Sequence, residues 1–231
     1  MKKQMGMIFL LTFVLLESLL CRASTEDSPP IWANETRLGK YQDPWKILNQ
    51  SRSEVYYLVN STFSSADYLW GSNFTCVSVR FSNTSAEWRK SEFKYRNASS
   101  GNDTTWASRS LKADVRIQRM QPLRLKLDLN TTVSKTYNYT QPNAIQYMLH
   151  NCSLLNDTVI FTDGNACNLL SIPYENNGKG CELWVKEDYL RNKSTPLCCY
   201  FLFDLLCAQE GSYTPYNDDC LNSNNSLAQK S

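Results

Sequence analysis

Histidine is almost missing from this 231-residue chain: His150 is the only one, and no Ser-His-Asp set, glycine-rich phosphate loop or Cys-x-x-Cys pair accompanies it. Without those groups there is no recognisable machinery for general base catalysis, phosphate cradling or metal ligation, so neither an enzyme nor a cofactor nor a metal site is expected. An excess of one charge is lacking too, with 24 basic against 22 acidic residues. That balance excludes a nucleic-acid binder that tracks phosphates with clustered Lys and Arg. Beyond the first 20 residues no long apolar run occurs, since Leu197 to Ala208 is short and carries Asp204. A membrane-spanning helix needs about 20 apolar residues, so none is expected.

What is present begins with a leader. Lys2 and Lys3 precede the apolar run Met7 to Leu20, and Cys21-Arg22-Ala23 places small residues where a signal peptidase reads them. Cleavage after Ala23 leaves residues 24–231 as a single domain of 231 − 23 = 208 residues, secreted to the outside of the cell. Removing Lys2, Lys3, Arg22 and Glu17 leaves 21 basic and 21 acidic residues. Eight cysteines remain: Cys76, Cys152, Cys167, Cys181, Cys198, Cys199, Cys207 and Cys220. An even number in an exported chain reads as four disulfides, whose connectivity spacing alone leaves open. Asn-x-Ser/Thr sequons begin at Asn34, Asn49, Asn60, Asn73, Asn83, Asn97, Asn102, Asn130, Asn138, Asn151, Asn156, Asn192 and Asn224. These are 13 of the 21 asparagines, where random placement gives about four, so a surface coated with glycans is expected.

Asp43-Pro-Trp-Lys-Ile-Leu-Asn predicts one or two helical turns, with Asp43 as N-cap and Pro44 at the first helical position. Short runs rich in β-branched and aromatic residues follow, separated by Ser, Asn, Gly and Asp clusters. They predict strands over Glu54 to Phe63, Phe74 to Phe81, Glu92 to Asn97, Thr104 to Ile117, Leu123 to Thr131, Ala144 to His150, Thr158 to Thr162, Cys167 to Pro173 and Cys181 to Lys186. Leucines at 123, 125, 127 and 129 alternate with polar residues, the period of a strand with one wet face. After Pro196 an apolar block, Leu197 to Cys207, suits a helix packed outside a sheet. Many short strands with one late helix point to an all-β antiparallel barrel, with a sandwich as the alternative.

Three stretches resemble the tick salivary lipocalins of the histamine-binding protein family. They are Tyr41-Gln-Asp-Pro-Trp-Lys-Ile-Leu with Glu54-Val-Tyr-Tyr-Leu-Val, then Leu69-Trp-Gly-Ser-Asn-Phe-Thr-Cys76, then Cys167-Asn-Leu, twelve residues, Glu182-Leu-Trp, thirteen residues and Cys198. The last is similar to the family's amine-binding signature. The likeness covers both ends of the mature chain and is weak between about Asn83 and Asn143. The ordinary lipocalin Gly-x-Trp is absent, because Asp43-Pro44 precedes Trp45. The resemblance implies an eight-stranded up-and-down barrel with a short N-terminal helix and a C-terminal helix on its flank. It also implies Cys76–Cys220 and Cys167 with Cys199 or Cys198. Cys152–Cys181, and the remaining member of the double cysteine with Cys207, complete that set.

A small aromatic amine is a cation, and holding one tightly takes ionised carboxylates and aromatic faces in a dry cavity. The resemblance carries over Asp67, Trp70 and Glu182, with Phe63 where the family has a tyrosine. Glu182 and Trp184 stand two apart and share a strand face. A glycan on Asn60 would face outward, which turns Phe63 inward together with Tyr57 and Val59. Asn168 replaces an Asp of the signature, and Asn156 falls close to a family position for a pocket aromatic. Ser51 and Thr158 stand where relatives with a second amine site carry acids, so at most one site is expected. The implied role is a monomeric scavenger of a host biogenic amine, histamine or serotonin, that dampens inflammatory defence. Two alternatives are a binder of leukotriene or thromboxane using Arg80 or Arg116, and an inhibitor of complement or other immune proteins acting through loops.

Overall fold

A computed structural model describes residues 28–66, 69–83, 85–97, 125–149, 153–194 and 196–222. The leader, Asp67, the run Thr104 to Ile117, and the sequons at Asn102, Asn151 and Asn224 lie outside the described residues. Contacts divide the chain into two units, Met1–Ile31 and Trp32–Ser231. Of the first only residues 28–31 are described, and they form neither helix nor strand.

In the second unit, α1 (Glu35–Leu38) and α2 (Trp45–Leu48) come first. The N-cap is Pro44 and not Asp43, one residue later than expected, while Asp43 Oδ1 accepts from the Trp45 backbone N–H at 2.9 Å just ahead of the helix. The strands are β1 (Tyr56–Ser61), β2 (Ser65–Ala66), β3 (Gly71–Ser72), β4 (Phe74–Asn83), β5 (Arg89–Asn97), β6 (Leu125–Ser134), β7 (Ala144–Met148), β8 (Leu154–Thr162), β9 (Cys167–Ile172) and β10 (Gly180–Lys186). Then follow α3 (Glu187–Arg191), α4 (Leu197–Leu206) and α5 (Asp219–Asn222). Eight strands close an antiparallel barrel in the order β1-β10-β9-β8-β7-β6-β5-β4, and β2 pairs only with β3. Closure leaves no free edge, which explains why strands this short hold together without a second sheet.

The pleat sorts the side chains. On β5 and β6, Phe93, Tyr95, Leu127 and Leu129 point inward. The outer face of the same strands carries Lys90 bridged to Asp128 at 2.8 Å and Glu92 bridged to Arg80 at 3.2 Å. On β9 and β10 both faces are covered. Leu170, Ile172 and Trp184 join the interior, while Leu169, Leu183 and Val185 pack against Phe203 of α4. That double burial is why these two strands read as continuous apolar runs rather than alternating ones. Ile47 and Leu48 of α2 enter the interior cluster beside Tyr56. Arg89 ties this end together, reaching Asn49 Oδ1 at 2.6 Å and lying 5.1 Å over the Trp45 ring. The β9–β10 loop and the β2–β3 pair occupy the opposite end.

Two expectations about β1 and the cysteines are corrected. Tyr57 and Val59 face outward, Tyr57 against Cys220 and Leu221, Val59 beneath α4. The cause is an irregularity between Leu58 and Asn60, which shifts the register so that Leu58 opposes Trp184 while Ser61 opposes Glu182. Inward parity is even before the bulge and odd after it, so Tyr56, Leu58, Ser61 and Phe63 line the inside. The disulfides are Cys76–Cys220, Cys167–Cys199 and Cys181–Cys207. Cys181 therefore does not pair with Cys152, which lies outside the described residues, and Cys198 does not pair with Cys207 but is free and exposed. Helix geometry gives the reason. Cys199 faces the barrel from α4 and reaches β9, Cys207 just past the helix end reaches β10, and Cys198, one residue from Cys199, is turned about 100° away into solvent.

Replacing both Cys181 and Cys207 by alanine opens a cross-link spanning 26 residues. The expected loss is about 3 kcal/mol in urea unfolding. An unchanged midpoint would show that packing and the Cys167–Cys199 bridge hold α4 without this cross-link.

Candidate functional site

The interior is aromatic around one tryptophan. The Trp70 ring lies 5.2 Å from Phe93, 6.1 Å from Phe74 and Tyr95, and 6.3 Å from Trp184. Phe63 extends the lining through Phe74 at 6.2 Å, and Tyr147 extends it through Phe93 at 5.9 Å. Sites of this kind are built by residues whose pleat position turns them into the barrel, and Trp184 and Glu182 share that position on β10.

Glu182 is 3% exposed, and its Oε2 accepts from Trp184 Nε1 at 2.9 Å. On β8, Asp157 is also 3% exposed and takes a hydrogen bond from the Tyr174 hydroxyl at 2.7 Å. Tyr147 donates to Asp157 as well. Burial pushes Asp157 up from 3.8 to about 7, the two tyrosine bonds hold it down, and Glu175 repels its charge. Burial raises Glu182 well above the ordinary carboxylate range, with Asp157 adding repulsion and the Trp184 bond opposing it. Among the described residues neither acid has a basic partner.

Of the residues singled out in the sequence, Phe63, Trp70, Glu182 and Trp184 meet in this interior. Asn168 is also buried and opposes Trp184, but its Oδ1 is taken by the Thr162 hydroxyl at 2.7 Å. Tyr57 lies on the outside. Asp67 lies outside the described residues. Asp157, with Tyr147 and Tyr174, went unread in the sequence. A signal was available: a glycan on the Asn156 sequon would face outward, which on a strand turns its neighbour Asp157 inward. In the structure Asn156 does turn to the outer face, where it accepts from Ser134 and Gln146 at 2.7 and 3.1 Å.

The family model for tick histamine-binding protein matches residues 32–222. The chain belongs to this family. A male-specific histamine-binding salivary protein of Rhipicephalus appendiculatus is 31% identical over 202 residues, covering 85% of this chain and 88% of the relative. The female-specific histamine-binding protein 1 of the same tick is 29% identical over 208 residues, covering 89% and 96%. Among solved structures, Japanin from R. appendiculatus bound to cholesterol has a TM-score of 0.44 at 16% identity, over 73% of this chain and 95% of that one. Both tick relatives are named for histamine binding, and the male-specific one is named as a salivary protein. No described helix is long and apolar enough to cross a membrane.

Of the sequon asparagines, Asn34, Asn49, Asn73, Asn83, Asn130, Asn138 and Asn192 are exposed, and Asn60 and Asn156 are half-buried. The side chain of Asn97 is not among those described.

Proposed function

We propose that this protein captures a protonated biogenic amine, histamine or serotonin, inside the barrel. One observation carries the reading: Glu182 and Asp157 are buried in an aromatic interior, and no basic side chain among the described residues neutralises either. A carboxylate removed from water without a counterion is costly, and a cationic guest offsets that cost while the surrounding rings enclose it. The relatives' histamine binding supports the same chemistry. Residues 1–23 act as a secretion signal, the sequons carry glycans, and the chain works outside the cell by removing free amine from the feeding site.

A lipid carboxylate would need an inward cation. Arg80 sits on the outer face, bonded to Glu92, and Arg116 lies outside the described residues. The test is calorimetry of the deglycosylated protein with histamine, serotonin and leukotriene B4. Heat with an amine and none with the leukotriene is expected. Heat with the leukotriene alone would overturn the amine reading, and silence with all three would leave a protein target as the remaining explanation.

A further inference from the structure

On the outer face of β6, Asn130 opens a recess of about 320 Å³ lined by Ser85, Trp88 and Met148. That volume equals the share of about ten liquid waters, at roughly 30 Å³ each, and is room for a pyranose ring. Register sets the walls. Asn130 stands directly opposite Met148 on β7 and Lys90 on β5. Directly opposed side chains on one face have Cβ atoms about 5 Å apart, and diagonal neighbours stay within reach of a large ring. Trp88 precedes Arg89, whose partner is Thr131, so its indole lies diagonal to Asn130.

The platform is held in place before any sugar arrives. Ser85 N–H donates to the Trp88 carbonyl at 3.2 Å, the Ser85 hydroxyl accepts from Trp88 N–H at 3.1 Å, and the Arg89 guanidinium donates to the same carbonyl at 3.1 Å. Thr132, the third residue of the sequon, donates its hydroxyl to the Glu87 carbonyl at 2.8 Å and fixes the turn to β6. Two other sequon asparagines have their side-chain oxygens engaged, Asn49 by Arg89 and Asn156 by Ser134 and Gln146.

We propose that Asn130 is N-glycosylated and that its first N-acetylglucosamine seats in this recess, stacking its C–H face on Trp88 and its acetyl methyl against Met148. The occupant is tethered to the wall of its own site, so no association entropy opposes seating. The sugar shields apolar area on both side chains that is otherwise wet. The proposal rests on the export part of the functional reading and not on the amine part.

The test expresses the full chain in insect cells as wild type, Asn130→Gln, Trp88→Ala and the double variant, with Met148→Ala as a second background that keeps the sequon and the indole. Glycopeptide mass spectrometry is expected to find Asn130 occupied. Losing the sugar through Asn130→Gln is expected to lower Tm by about 2–4 °C in the wild-type background and by less than half of that where Trp88 or Met148 is already alanine. Secretion with a bare Asn130, or equal losses in all backgrounds, overturns the proposal while leaving the export reading standing. A chain retained inside the cell overturns the export reading and the proposal with it.

Discussion

Histamine is expected to bind the Glu182→Gln variant at least about 30-fold more weakly than the wild type. Truncating one side of a buried, hydrogen-bonded charge pair costs about 2 kcal/mol or more, and 1.4 kcal/mol is tenfold in affinity. Glutamine keeps the shape of the side chain and still accepts from Trp184 Nε1, so the aromatic lining stays in place. Without ligand the variant should be no less stable than the wild type at pH 8, and should unfold at a higher temperature, because an uncompensated buried acid is removed. Calorimetry and a thermal melt of the same sample check both halves. Affinity within a factor of two of the wild type would remove Glu182 from the account, and a variant that melts lower without ligand would show that the acid is paired in the free protein. Asp157→Asn should behave alike, with a further effect through the hydroxyls of Tyr147 and Tyr174 that lose an anionic acceptor.

The free protein is also expected to lose stability as pH rises from about 4 to about 8. An acid whose folded pKa lies above its unfolded one binds more protons in the native state, so stability is greatest where both states are protonated and falls as pH climbs between the two values. For Asp157 that window runs from 3.8 to about 7, and at about 1.36 kcal/mol per pH unit it is worth about 4 kcal/mol. Glu182 is raised in the same direction for the same first cause, burial. Saturating amine should flatten the slope, because the guest's charge favours the ionised acids, so the rise in Tm on adding amine is larger at pH 8 than at pH 5. Melts from pH 4 to 8 with and without histamine measure this. A free protein that gains stability across the window would mean that the buried acids are neutralised by a cation of the chain itself.

The barrel was legible because the pleat writes itself into the sequence wherever one face is wet, as on β6 with Leu127 and Leu129 inside against Asp128 and Asn130 outside. Strands β9 and β10 lost that alternation under α4 and were recognisable by their apolar runs instead. Glu182 stood out for the same reason, as a carboxylate inside such a run. Other features had no local sign. The bulge after Leu58 inverted the facing of Tyr57, which depends on pairing with β10 and not on β1 itself. The start of β8 at Leu154 was hidden because Asn156-Asp157 has the composition of a turn. Only when β8 pairs with β9, and β9 with β10, do Asp157 and Glu182 come into one interior. The linking of α4 to two strands likewise follows from which face of the helix meets the barrel, a matter of packing that cysteine spacing leaves open.

Proton release on amine binding tests the pair of buried acids most directly. Calorimetric titrations at pH 6, run in two buffers of different ionisation enthalpy and corrected for the guest's own titration, count the protons that leave the protein. With Asp157 near 7 and Glu182 raised as well, at least about one proton should depart per amine bound. Tight binding with no proton released would contradict the account, since it would mean that both carboxylates were already ionised before the cation arrived.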